Sequence, residues 1–226
     1  MAIWTDPGAK PRPPLNRERV LHTALDLADR DGLESLTMRR LGQALGVEAM
    51  SLYNHVTDKG DIVDGIVDLV FSEIDLPSGR AGWKTAMRRR ATSAHETLVR
   101  HPWASSLMQS RPNPGPATLR HHDAVIGCLR RAGFTIHMAA HAFSVLDSYV
   151  YGFAQQQENL TYTTPEEAAV VAESILRQLP ADDYPHLAEM IVEHALQPGY
   201  DYAAEFNFGL ELILNGLERT QRTTRT

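Results

Sequence analysis

The chain has 226 residues, 43% apolar and 22% charged, which fits a globular protein long enough for one or two domains with a sizeable core. Its 22 Lys and Arg against 28 Asp and Glu leave a net charge of −6, which excludes a uniformly basic nucleic-acid binder but leaves room for a local basic patch. The first 57 residues hold seven basic and seven acidic side chains, so the whole deficit lies beyond them, a sign of two parts with different partners.

In chain order, residues 1–14 read as a flexible tail, because Pro7, Pro11, Pro13 and Pro14 forbid a helix. Leu21, Ala24, Leu25 and Ala28 then recur with helical spacing, and Asp31-Gly32 ends that helix. Thr37 can cap a second short helix carrying Met38, Leu41 and Leu45, closed by Gly46. A third spans about Glu48 to His55. Thr57 or Asp58 caps a fourth, with Val63, Val67, Val70 and Ile74 on one face and Pro77 as its stop. Further helices are predicted over Trp83–Arg100, Trp103–Gln109, Ala117–Arg131, Thr135–Glu158, a stretch opened by the capping box Thr164-Pro165-Glu166-Glu167, Tyr184–Leu196 and Asp201–Arg219. No strand-like alternation and no internal repeat is present. The single cysteine, Cys128, excludes a disulfide framework and a cysteine-built zinc finger, and it fits a reducing, cytoplasmic setting. No apolar run approaches the ~20 residues needed to span a bilayer, and an apolar signal core is missing, so secretion is not expected.

The most informative segment runs from Gly32 to Ile66. Two short helices meet at Gly46, with Leu41 and Leu45 before it and Val47 and Leu52 after it as small apolar anchors. That is the pattern of a helix-turn-helix, whose second helix enters the major groove, and equally of a generic helical hairpin; periodicity does not separate them. The residues themselves do. Gly32, Leu36, Thr37, Leu41, Leu45, Gly46, Val47, Leu52-Tyr53, His55 and Lys59 resemble the DNA-binding domain of the tetracycline-repressor (TetR) family, from about Arg17 to Val70. A weaker resemblance to the same regulatory subfamily continues through Arg111-Pro112, Arg131-Ala-Gly-Phe134, Tyr151-Gly-Phe153 and Gln155-Gln-Gln-Glu158.

The resemblance implies a set of DNA contacts. Thr37 and Arg39 would lie near phosphates. Glu48, Ala49, Met50, Ser51 and Asn54 would face bases or the groove, and Tyr53, His55 and Lys59 would reach the backbone. The chemistry agrees: Lys59 opens a helix whose free N–H groups favour phosphate, Glu48 can accept from a cytosine amino group, and Met50 can meet a thymine methyl. Arg12 and Arg17 are either further phosphate or minor-groove contacts or part of a solvated tail.

The tetracycline-binding members of the family hold their drug as a magnesium chelate, through a His three residues before a Thr that precedes Arg-Pro. Here those positions are Leu107 and Ser110, and the Glu that helps hold the metal's water shell aligns near Gln155 or Gln156. Leucine cannot ligate a metal, so a hard cation lacks its anchors. The expected site is metal-free and lined by Phe71, Arg90, Ala94, Trp103, Leu107, Ser110, His122, Val125, Phe143, Asp147, Val150 and Tyr151. Apolar walls with a few polar groups suit an apolar or aromatic small molecule. Each apolar member also reads as plain core; Arg90 and Asp147 are the informative ones, because a buried charge needs a partner.

The histidine pairs His137/His141 and His121/His122 have zinc-compatible spacing, but no third spaced ligand accompanies them. The Gly-x-Ser-x-Gly elbow of hydrolases is absent as well. The expectation is therefore an all-α, homodimeric, ligand-responsive transcriptional regulator, a repressor, not an enzyme and without a cofactor. Its parts are a tail (1–14), a three-helix helix-turn-helix domain (15–57), a connecting helix (58–76) and a ligand-binding and dimerisation domain (77–226), with about nine to ten helices in all. Palindromic operator DNA and a small-molecule effector are its partners. A metal-dependent hydrolase using the histidine pairs and a helical interaction protein are the alternatives.

Overall fold

A computed structural model describes residues 14–78, 82–108 and 110–223. The predicted tail, with Arg12, therefore lies almost wholly outside the described residues. Among the described residues every regular element is helical. The chain divides into two compact units at the Ile66–Val67 boundary.

In the first unit, α1 (Arg17–Asp31) starts where Asn16 Oδ1 accepts from the Arg19 N–H and ends at Gly32, whose φ of 78° only glycine adopts readily. It buries Val20, Leu21, Ala24, Leu25, Leu27 and Ala28. A single 3₁₀ turn, Leu33–Ser35, leads to α2 (Met38–Leu45), capped by Thr37 Oγ1 accepting from the Arg40 N–H and closed by Gly46 in the left-handed region. Then comes α3, which is helical only over Ala49–Leu52, shorter than the predicted Glu48–His55. The reason lies in its hydrogen bonds. The N–H groups of Tyr53, Asn54 and His55 reach back three residues, to Met50, Ser51 and Leu52, so the spiral continues but tightens into 3₁₀-like turns. Next, α4 (Lys59–Glu73) is capped by Asp58 Oδ1, which accepts from the Asp61 N–H. Leu36, Leu41, Leu45, Leu52, Val56, Ile62 and Ile66 complete this small core.

The second unit takes Val67 onward, including the end of α4. It contains α5 (Trp83–Arg100), α6 (Pro116–Arg131), α7 (Ile136–Glu158), α8 (Pro165–Gln178), α9 (Pro185–Met190) and α10 (Tyr202–Thr223). The long helix α7 packs on α5, α6 and α10 and so forms the centre of the unit. The predicted helix at Trp103–Gln109 is only a 3₁₀ turn, Pro102–Ala104, with loose turns after it; Gln109 lies outside the described residues. The predicted Tyr184–Leu196 helix is α9 followed by a π-helical stretch over Ile191–Ala195. The capping box at the start of α8 is present in full, Thr164 and Glu167 each binding the other's backbone N–H.

One close approach fixes the geometry of the helix pair α2–α3. A Cβ added to Gly42 would lie 2.9 Å from the Val47 carbonyl oxygen and 3.2 Å from Ala49 Cα. Neither is a flexible side chain, so the backbone itself would have to give. Gly42→Ala is expected to destabilise the first unit by about 1–3 kcal/mol, despite alanine's better helix propensity. Thermal melts of the full chain check this. A variant that melts unchanged or higher would show that α3 can shift without penalty.

Candidate nucleic-acid interface and effector region

The residues around α3 sort into two sets. Leu52 and Val56 point inward and are buried, while Glu48, Tyr53, Asn54 and Lys59 are exposed and Ala49, Ser51 and His55 half-buried. Met50 is 75% exposed, an uncommon position for a large thioether on a folded surface and one that suits contact with an apolar base edge. Arg39 on α2 is exposed, as is Thr37, whose hydroxyl already serves as the α2 cap. Ten predicted contact residues thus lie on, or beside, the two helices of a helix-turn-helix. Arg17 departs from its expectation. Its guanidinium grips Asp61 with two hydrogen bonds, of 2.8 and 2.5 Å, and Nη1 also donates to the His55 carbonyl at 3.3 Å. The guanidinium in turn holds the Asp61 carboxyl down at about 2. Arg17 therefore ties the start of α1 to the start of α4, and is neither solvated tail nor an uncommitted phosphate contact.

In the second unit, the predicted effector residues split. The Arg90 guanidinium on α5 is buried and pairs with Asp147 on α7, Nη1 to Oδ1, at 2.6 Å. Its Nε donates to His121 Nε2 on α6 at 3.0 Å. Burial, reinforced by Arg90 and then His122, lowers the His121 pKa to about 3, so the ring is neutral at physiological pH. Since Nε2 accepts, the ring proton sits on Nδ1. That Nδ1–H and Arg90 Nη2 are buried donors with no acceptor among the described residues. Tyr151 donates to Asp147 Oδ2 at 3.4 Å, and burial pushes its phenol up beyond the usual range. Phe71, His122 and Phe143 add an edge-to-face ring cluster, with centroids 5.5 Å (Phe71–His122) and 5.1 Å (His122–Phe143) apart. Ala94, Val125 and Val150 are buried on the same helices. Trp103 and Leu107 are half-buried in the loop after α5, and Ser110 is exposed, its hydroxyl bonded to the Ser106 and Leu107 carbonyls.

None of these residues lines the cavity of about 380 Å³ that the structure holds elsewhere in this unit. That cavity lies among the C-terminal ends of α5 and α7 and the N-terminal ends of α8 and α10, with Tyr162, Tyr200 and Tyr202 in its wall. The sequence reading missed it, because Tyr162 and Tyr200 stand in separate loops and no local spacing brings them together. It also left His121 out of the effector set, although the pair His121-His122 was visible. His137 and His141 are exposed, and among the described residues no group of three or more His, Cys, Asp or Glu is placed to hold a metal ion. No helix among them is long and apolar enough to cross a membrane.

Residues 76–221 match the family model described as the tetracyclin repressor-like C-terminal domain. The chain is 34% identical to the transcriptional repressor DrrR1 of Streptomyces coeruleorubidus, over 94% of this chain and 80% of that protein. It is 27% identical to the class D tetracycline repressor of Escherichia coli, over 90% of this chain and 89% of that one. Among solved structures, ActR of Streptomyces coelicolor in complex with actinorhodin aligns at a TM-score of 0.76 and 28% identity, covering 92% of this chain and 99% of that one.

The ion pair gives a clear expectation. Asp147→Asn leaves the Arg90 charge buried without its counter-ion and should destabilise the second unit by about 3–5 kcal/mol. Replacing Arg90 and Asp147 together by Met and Leu should recover most of that loss. Denaturant unfolding of the single and double variants measures it; a single variant within about 1 kcal/mol of the parent would mean water already screens the pair.

Proposed function

The chain belongs to the TetR family of DNA-binding transcriptional regulators, and from that premise we propose that it is a cytoplasmic, homodimeric repressor that a small-molecule effector releases from palindromic operator DNA. The observation that carries the DNA reading is the outward face of α3, where Met50, Tyr53 and Asn54 stand exposed while Leu52 anchors the helix below. Two such helices about 34–36 Å apart in a dimer would enter successive major grooves. Selection of bound sequences from random DNA tests this: a palindrome is expected, and enrichment of single, asymmetric sites would overturn it.

The effector reading rests on the two buried donors, Arg90 Nη2 and His121 Nδ1–H. Each unsatisfied buried donor costs about 1–3 kcal/mol, which a guest with an acceptor oxygen would relieve. The rings of Phe71, His122 and Phe143 suit an aromatic body for that guest. A relative named as a tetracycline repressor and a structural neighbour solved in complex with actinorhodin support a small-molecule effector. Leu107 and the uncharged Gln155 and Gln156 argue against a magnesium chelate. Calorimetry with tetracycline, with and without magnesium, should show no magnesium-dependent binding at micromolar concentration. Such binding would mean the metal finds other ligands.

For the dimer, we propose that α7 and α10 pair across a two-fold axis as a four-helix arrangement. Leu214 is fully buried within its own protomer, on the inner stripe with Leu210 and Leu217, so the proposed interface would be built from other residues of α10. The outward residues of α10 are Phe208 and Leu212, 66% and 59% exposed, with Val145 exposed on α7. Leu212→Glu should therefore yield a monomer by light scattering, whereas Leu214→Glu should unfold the bundle. On the DNA side, Lys59→Ala should weaken binding to all sequences and lower the salt slope by roughly one unit. Asn54→Ala should instead relax base preference. An unchanged slope in Lys59→Ala would remove Lys59 from the phosphate contacts.

A further inference from the structure

The cavity beside α8 has a chemistry unlike that of the Arg90 cluster. Its walls combine Leu98, Ala154 and Ala168 with the rings of Tyr162, Tyr200 and Tyr202, and its charged members are the acids Glu158 and Asp201. Among the described residues lining it, none is basic. Tyr202 is fixed from two sides, by Phe153 stacked at 5.0 Å and by its hydroxyl donating to Gln156 Oε1 at 3.0 Å. Tyr200 is braced edge-on by His194, whose ring in turn bonds Glu205.

Two helix N-termini open here, α8 and α10, and free N-terminal N–H groups would favour an anion. A carboxylate already sits at each. Glu167 Oε2 takes the N–H groups of Thr163 and Thr164. Asp201 Oδ1 takes that of Ala203. The C-terminal end of α7, at Gln157 and Glu158, adds carbonyl oxygens and a carboxylate. Carboxylates of full charge therefore outweigh two N-terminal half-charges, and the local field is negative. Burial, and after it Tyr162, Glu205, Tyr202 and Asp201, holds the Tyr200 phenol above its usual range.

We propose that this tyrosine-walled, acid-rimmed cavity is a second ligand site, separate from the Arg90 cluster, that binds an organic ammonium cation carried on an apolar body. Aromatic faces attract a weakly hydrated cation through their quadrupole, and carboxylates at the rim add Coulomb attraction without having to be fully desolvated. A volume of about 380 Å³ admits a ring-bearing molecule of modest size. The Arg90 cluster, with its spare N–H donors, has the opposite preference, for acceptors.

The test is calorimetry on the full-length dimer with three probes that share one ring: benzyltrimethylammonium, benzyl alcohol and benzoate. The cation is expected to bind at millimolar concentration or tighter, the alcohol at least tenfold more weakly and benzoate not at all. Tyr200→Leu and Tyr202→Leu should each weaken the cation about tenfold, and Tyr200→Phe should retain it, since the ring face and not the hydroxyl makes the contact. Glu158→Gln, on an exposed carboxylate that folding does not need, should weaken it severalfold even if the tyrosine variants fold poorly. Benzoate binding as tightly as the cation would overturn the proposal. So would cation binding indifferent to all three substitutions, or none to the parent protein, the result if a partner protomer fills the cavity. A palindrome from the DNA selection together with no cation binding would overturn this inference alone and leave the regulator reading intact.

Discussion

The regulatory unit depends on one buried ion pair. Arg90 and Asp147 have each lost their water, at several kcal/mol per ion, and only their mutual contact and the added bond to His121 offset that loss. The three residues sit on α5, α7 and α6, so the charge balance holds only when those helices keep their spacing. A purely apolar core would tolerate small slides between helices. This one does not, because any slide exposes an unpaired charge to a medium of low dielectric.

The same logic extends to α4. Asp68 takes the N–H groups of Ala117 and Thr118 and the Thr118 hydroxyl, and so caps α6. The approach is close enough that a Cβ on Gly115 would run into the Asp68 carboxyl group. One turn on, Phe71 packs against His121 and His122. A guest that draws on Arg90 or His121 therefore acts on α6, and α6 is joined to α4 by a carboxylate cap and a ring contact. The helix that these contacts reach, α4, runs without a break from Lys59 to Glu73.

Most of this fold was legible in the sequence, because the strongest signals were local. Thr37, Gly46 and the Thr164–Glu167 box are caps whose partners lie within four residues, and each formed as read. What failed was local too. The loop after α5 has helical composition but carries Pro102 and a run of serines, whose hydroxyls bond back to nearby carbonyls in place of a regular ladder. The candidate effector site was legible only where charge betrayed it. Arg90 and Asp147 stood out because a buried charge demands a partner, whereas Trp103, Leu107 and Ser110 looked equally plausible and were not drawn into the cluster. Gly42 and the tyrosine cavity depend on approaches between distant segments that no spacing encodes.

The charge arithmetic finally constrains how such a chain can hold DNA. The first 57 residues are neutral, and within the described part the basic side chains are unequally committed. Arg17 is held by Asp61 and Arg40 by Asp31, which leaves Arg39 and Lys59 as exposed cations near the helices proposed to face DNA. Each phosphate contact contributes about one unit of salt slope, so one module with so few of them gains little from counter-ion release. On the proposed reading, affinity would then come from doubling the module and from neutral contacts such as Met50, Tyr53 and Asn54, which would discriminate by shape and hydrogen bonding and not by charge. An acidic chain thus gives up non-specific attraction to DNA. In the proposed dimer, what it retains would depend on the separation of two such modules, the quantity that a ligand of the second unit would have to change.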